Sequence, residues 1–205
     1  MKNPNLQEHP HRRHNPLLDE WVLVSPHRSK RPWQGQEETS QEEVRPNYDP
    51  ACYLCPGNTR ANGEVNPNYS SSFVFGNDFA ALKPEAIDFG ENDSPFFKAR
   101  PEQGISRVVC FSPRHDLTIP EMEVAAIEKI IRTWQSEYEA LGRVDYISHV
   151  QIFENKGSIM GCSNPHPHGQ IWAQSSLPTL VQKTQDSLSA YYTKNQTTLL
   201  LQSSG

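Results

Sequence analysis

Residues 149–173, HVQIFENKGSIMGCSNPHPHGQIWA, decide how the chain folds. Apolar and β-branched density marks strands at 149–153 and 168–173. The Gly-, Ser- and Pro-marked stretch 154–167 between them is a loop too short for a βαβ crossover, so the two strands run antiparallel. Working outward, GISRVVCFS at 104–112 is a third strand, stopped by Pro113, and residues 72–75 form a short one that leads into Gly76-Asn77-Asp78. Residues 21–24 read as a short buried strand ending at Ser25-Pro26. One helix is clear. Val124, Ile127, Ile131, Trp134, Tyr138 and Leu141 recur at spacings of 3, 4, 3, 4 and 3, a single stripe suited to packing on a sheet. Pro120 suits its first turn, Glu121 and Glu123 its positive end, and Gly142 its close. Strands around one long amphipathic helix predict an α+β fold with an antiparallel sheet.

The 205 residues suit one domain with ragged ends. Lys+Arg 19 against Asp+Glu 24 leaves a net charge of −5, which argues against a nucleic-acid partner. No run of about eighteen apolar residues exists to span a membrane, and MKNPNLQEHPHRRHN lacks the apolar core of a secretory signal. A mean hydropathy of −0.71 predicts that part of the chain is not packed, and these features together read as a soluble, intracellular protein with long loops. Residues 1–16, with three histidines, three prolines and no apolar periodicity, read as a flexible N-terminal tail. Residues 35–49 read as a surface loop. Beyond Pro178 the composition turns to Ser, Thr and Gln, so 179–205 is expected to be a divergent, partly disordered tail, a helix with a frayed end.

Four cysteines stand at 52, 55, 110 and 162. Cys52 and Cys55 have the C-x-x-C spacing that lets two thiolates reach one metal ion. A redox pair has the same spacing, but such pairs open a helix, whereas Pro56-Gly57-Asn58 reads as a turn. Cys110, inside a strand, reads as a buried thiol. In Asn164-Pro165-His166-Pro167-His168-Gly169-Gln170, alternation puts His166, His168 and Gln170 on one side, and both prolines stiffen the backbone. If His166 completes a metal site, His168 is held beside it as a preoriented nucleophile. Such a nucleophile suits phosphoryl chemistry. The loop Asn155-Lys156-Gly157-Ser158 through Gly161-Cys162-Ser163-Asn164 offers N–H groups and hydroxyls to phosphate oxygens. Arg28, Lys30 and Arg31 form either a solvated loop or a phosphate holder.

CYLCPGN, RANGEVNP, FENKGSIMGCSNPHPHGQIWA and DEWVLVSPHRSKRPWQGQ together closely resemble the galactose-1-phosphate uridylyltransferase family, a branch of the histidine-triad superfamily. The resemblance runs from about residue 15 to 178. It implies that 17–178 is a histidine-triad-like N-terminal domain, the first of the family's two repeats, in a cytoplasmic enzyme that is a homodimer when intact. It also implies transfer of UMP from UDP-glucose to galactose 1-phosphate, giving UDP-galactose through a uridylyl-histidine. By position, His168 matches the nucleophile and Gln170 the residue on the transferring phosphate. Cys52, Cys55, His115 and His166 match the zinc ligands. Ala61, Asn77, Asp78, Asn155, Gly161, Cys162, Ser163 and Gln170 match contacts to uridine diphosphate, and Arg28 and Arg31 match residues that cross a dimer interface to the neighbour's nucleotide. Two other readings stand beside this one: a nucleotide hydrolase of the same superfamily, and a zinc-binding fragment without catalysis.

Overall fold

The computed structural model describes residues 6–32, 45–87, 90, 94–162 and 164–202. By packing, the chain divides into two units, Glu42–Ser176 on one hand and Met1–Gln41 with Leu177–Gly205 on the other. This division differs from the expected 17–178 boundary, because residues 17–41 and 177–178 group with the chain ends.

In the unit Glu42–Ser176, strands β3 (Phe73–Gly76), β4 (Gly104–Cys110), β5 (His149–Phe153) and β6 (His168–Gln174) form one antiparallel sheet in the order β3-β4-β6-β5. The expected antiparallel arrangement is what the sheet has. β6 is interior, pairing Cys110 with His168 and Val108 with Gln170 on one side, and Phe153 with Gln170 on the other. Alternation along β6 sorts its side chains. Gly169, Ile171 and Ala173 are buried, while His168, Gln170 and Trp172 stand half-buried on the opposite face.

Helix α1 (Val124–Gly142) covers the face of Ile171 and Ala173. Ile130 and Leu141 are fully buried there with Val109, Phe111 and Met122, and Trp134 meets Phe111 edge-on at 5.7 Å. The expected stripe is thus corrected. Ile127, Trp134 and Leu141 pack, but Val124, Ile131 and Tyr138 are exposed and Ile130 takes the central place. At about 100° per residue Ile127, Ile130, Trp134 and Leu141 fall within one narrow arc, and 124, 131 and 138 fall on its flank, where the sheet no longer covers them. Pro120 and Glu121 do not open α1 either. They lie in a 3₁₀ turn, Ile119–Glu121, where the Glu121 carboxylate accepts from Thr118 N (2.8 Å) and Oγ1 (2.7 Å). The other face of the sheet carries a second cluster: Cys52, Leu54, Cys55, Val108 and Cys110, flanked by Tyr69, Phe73 and Phe75.

In the other unit, β1 (His11–Asn15) and β2 (Glu20–Val24) form an antiparallel hairpin, and helices α2 (Thr179–Asn195) and α3 (Leu199–Gln202) follow at the far end of the chain. Residues 11–15 are therefore strand rather than tail, made so by pairing with 20–24. α2 occupies much of the stretch expected to be partly disordered. The strand at 21–24 is present but not buried: Trp21, Val22 and Leu23 are all more than half exposed. Lys183 of α2 binds Glu20 of β2 at 2.7 Å. Among the described residues, no helix is long and apolar enough to cross a membrane.

Candidate active site

The knuckle before β3 is a run of tight turns. Cys52 N donates to Asp49 O and Cys55 N to Cys52 O, each at 3.1 Å, and the Asn58 amide ties Asp49 O to Cys52 O. This brings both thiols under the sheet, where they meet two imidazoles from remote segments. The ligand atoms of Cys52, Cys55, His115 and His166 all lie within 4.8 Å of one another, and all four residues are buried. Cys55 Sγ is 3.6 Å from the Nδ1 of each histidine.

Hydrogen bonds decide which nitrogen of His166 is free. Its Nε2 faces the Ser112 carbonyl (2.9 Å) and the Tyr69 hydroxyl (3.0 Å), and that hydroxyl donates to Leu54 O at 2.6 Å. A carbonyl only accepts, so Nε2 carries the hydrogen and Nδ1 keeps its lone pair toward the thiols. Burial, then the nearby His115, pushes His166 down to about 4. Burial likewise lowers His115 and raises the Cys55 thiol to about 11, with Cys52 adding to the rise. Two neutral imidazoles and two thiols enclosed at this range are the donor set of a closed four-ligand metal centre, and the residues fit a metal ion.

Two residues on, His168 opens β6. Its Nδ1–H donates to the His166 carbonyl at 2.7 Å, which leaves Nε2 bare. Each other residue of the segment is fixed too. His166 N donates to the Asn164 side-chain oxygen at 2.9 Å, and the same carboxamide lies 3.5 Å from Cys52 Sγ. Gly169 is required, because a Cβ there would come within 2.7 Å of the Phe111 ring and 2.8 Å of the Phe153 carbonyl.

His168 and Gln170 face a cleft of about 190 Å³. Ala61, Asn77, Asp78, Asn155, Gly161 and Cys162 border it too, so these expected residues come together from four segments. Gln170 Oε1 is approached by Asn77 Nδ2 (3.3 Å) and Trp172 Nε1 (3.2 Å); both are donors, which turns its amide N–H groups toward the cleft. His166 and His168 also share the border of a neighbouring cleft of about 340 Å³ and so lie on one side of the sheet. Arg28 and Arg31 are not part of this unit. They stand exposed in and just after the 3₁₀ turn Pro26–Lys30. Ser163 lies outside the described residues, and Cys110 is a buried thiol, raised to about 12 by burial.

Sequence reading missed the apolar wall of the cleft, Leu54, Phe75 and Val108, and it missed Arg60 on Asp78, Tyr69 on His166 and the tie from Asn164 to Cys52. The F-x-F alternation at 73–75 was the one available signal for Phe75.

A family model described as galactose-1-phosphate uridyl transferase, N-terminal domain, matches residues 2–178. The galactose-1-phosphate uridylyltransferase of Haemophilus influenzae is 52% identical over 194 residues, covering 95% of this chain and 55% of the relative. That of Rattus norvegicus is 51% identical over 195 residues, covering 95% and 51%. The chain thus spans about half the length of the curated relatives it matches. Among solved structures, one titled "Structure of uridylyltransferase" superposes with a TM-score of 0.64 at 23% identity, over 92% of this chain and 53% of that one. An ADP-glucose phosphorylase from Arabidopsis thaliana with bound ADP-glucose gives 0.64 at 23%, over 92% and 56%; both likenesses speak to the fold. On the match over residues 2–178, the chain belongs to the galactose-1-phosphate uridyl transferase family, of which it carries the N-terminal domain.

Proposed function

We propose that the chain carries the nucleotidyl-accepting half of a UDP-glucose–hexose-1-phosphate uridylyltransferase. The observation that carries this reading is the 2.7 Å bond from His168 Nδ1–H to the His166 carbonyl, which in the neutral ring puts the lone pair on Nε2, beside a cleft rich in polar donors. His168 Nε2 attacks the α-phosphorus of UDP-glucose. The new N–P bond forms as the P–O bond to glucose 1-phosphate breaks, and glucose 1-phosphate leaves with the bonding pair. The retained Nδ1–H, against a fixed carbonyl, supports the positive charge that develops on the ring. A phosphate oxygen of galactose 1-phosphate then displaces His168 and carries the uridylyl group away as UDP-galactose. Gln170 donates an amide N–H to the transferring phosphate. A neutral amide cannot deliver a proton to a leaving group, so the reading is transfer between sugar phosphates rather than hydrolysis.

In this reading Asp78 and Asn77 take the ribose, while Ala61, Asn155, Gly161, Cys162 and Ser163 line the path of the diphosphate. Arg28 and Arg31 bring positive charge to the phosphates of a second copy's nucleotide, in a homodimer. Cys52, Cys55, His115 and His166 hold one zinc ion, which when bound supplies rigidity and folding free energy rather than an open reacting position. The enzyme is cytoplasmic, in keeping with four free cysteines.

The test is incubation with UDP-glucose labelled at the α-phosphate. Label should remain on the protein, be chased off by galactose 1-phosphate, and be absent from His168→Gly. Release of UMP without the acceptor would mean a hydrolase. An unlabelled, metal-loaded protein would mean a fragment without catalysis.

A further inference from the structure

Arg60 is costly to bury where it stands. Its side chain is 7% exposed, and Nη1 donates to Asp78 Oδ1 at 2.9 Å, the Asp78 side chain being 9% exposed. Nη2 binds the Glu64 carboxylate, and the guanidinium carbon lies 4.3 Å above the centre of the Phe75 ring. Its Nε is buried without a hydrogen-bond partner among the described residues. Desolvating such a pair takes free energy that mutual attraction returns only in part, and an orphaned N–H adds to the loss. What the arrangement yields is position. Arg60 links two walls of the cleft. One is the turn over residues 60–64, closed by Arg60 N to Glu64 O (2.8 Å) and Gly63 N to Arg60 O (3.0 Å), which carries Ala61. The other is the corner after β3 that carries Asn77 and Asp78.

Within that link Asp78 is half used. Arg60 takes Oδ1, and no described residue donates to Oδ2. A carboxylate oxygen only accepts, so its complement in a ligand is a donor, a hydroxyl or an N–H, rather than a phosphate or a carbonyl. The apolar neighbours Phe75, Leu54 and Val108 suit a flat base. We propose that Arg60 is the positioning residue for ribose. It fixes Asp78 so that the second oxygen meets the vicinal diol of a ribonucleoside diphosphate, and the cleft thereby discriminates against nucleotides without those hydroxyls. The inference rests on the nucleotide reading of the cleft and adds the residue that sets its sugar selectivity.

Calorimetric titration of the zinc-loaded full chain with UDP and with 2′,3′-dideoxy-UDP tests it. The unsubstituted chain should prefer UDP by roughly tenfold or more, the scale of hydrogen bonds to a charged acceptor. In Arg60→Gln that ratio should fall to within about threefold, with UDP binding weakened and dideoxy binding little changed. A merely structural role would weaken both nucleotides alike and keep the ratio, which overturns the proposal. If the Gln variant does not fold, Arg60→Lys serves, since an ammonium cannot fork between Asp78 and Glu64. There the ratio should drop by at least about threefold, and an undiminished ratio overturns the proposal. An unsubstituted chain that binds neither nucleotide removes the nucleotide reading itself; one that binds both equally removes only the role of Arg60.

Discussion

Gly169 sits between the two residues that face the cleft, and its own missing side chain lets β6 lie flat against Phe111 and the Phe153 carbonyl. Neither neighbour can yield cheaply, because one is backbone and the other is wedged against Trp134. Gly169→Ala should therefore cost about 1–3 kcal/mol in a urea melt. It should also lower the labelling of His168 by displacing that ring. A melt unchanged within error would mean the strand has slack that the distances deny. Residues of this kind differ in how far the sequence betrays them. Cys52, Cys55, His166 and His168 announce themselves because metal and nucleophile chemistry uses few residue types at short spacings. Asn164 and Tyr69 do not. Their meaning comes from partners 112 and 97 residues away, Cys52 and His166, and no local pattern records such a pairing.

At the scale of elements, the 3.6-residue period found α1 and the alternation found the strands, yet the same rules misjudged which side of α1 is covered. The disagreement can be measured. Ile130→Ala should destabilise by about 2–5 kcal/mol, as for a fully buried aliphatic chain. Ile131→Ala, at 44% exposure, should cost roughly 1 kcal/mol or less. Equal losses in denaturant titrations would restore the stripe read from spacing alone. The hairpin β1–β2 escaped notice for a different reason. HRRHN has no apolar alternation because its strand is not buried; instead His14 leans on Trp21, tilted by 38° at 5.0 Å, and Arg12 lies over the same ring at 5.4 Å. α2 buries none of its residues, so its sequence is under little pressure toward a stripe.

For the molecule as a whole, the Cys₂His₂ cluster ties the knuckle to two segments 60 and 111 residues later, through Cys55 to His115 and His166. Stripping the metal should lower the melting temperature and expose an acid sensitivity. His166 takes its proton at about 6.5 when unfolded but only at about 4 when folded. Between those values the unfolded chain holds more protons, so metal-free stability is complete above about pH 6.5 and drains away as pH falls toward 4. The loss is on the order of 3 kcal/mol, and His115, lowered in the same sense, adds to it. Urea midpoints of the stripped protein at pH 7.5 and pH 5 check this; equal midpoints would mean the histidines are not buried as described. A sequence shows cysteines and histidines, but not that residues 6–32 group with 177–202, since that grouping lies in contacts across most of the chain.

The order β3-β4-β6-β5 has a bearing on biogenesis. Of the two interior strands, β4 and β6, the second is the last of the four to leave the ribosome, so β4 keeps one bare edge and β5 has no partner until residue 174 is out of the exit tunnel. A nascent chain stalled before residue 166 emerges would lack both of β6's ladders and the second histidine of the Cys₂His₂ cluster. It would present bare strand edges to chaperones rather than a smaller version of the same fold.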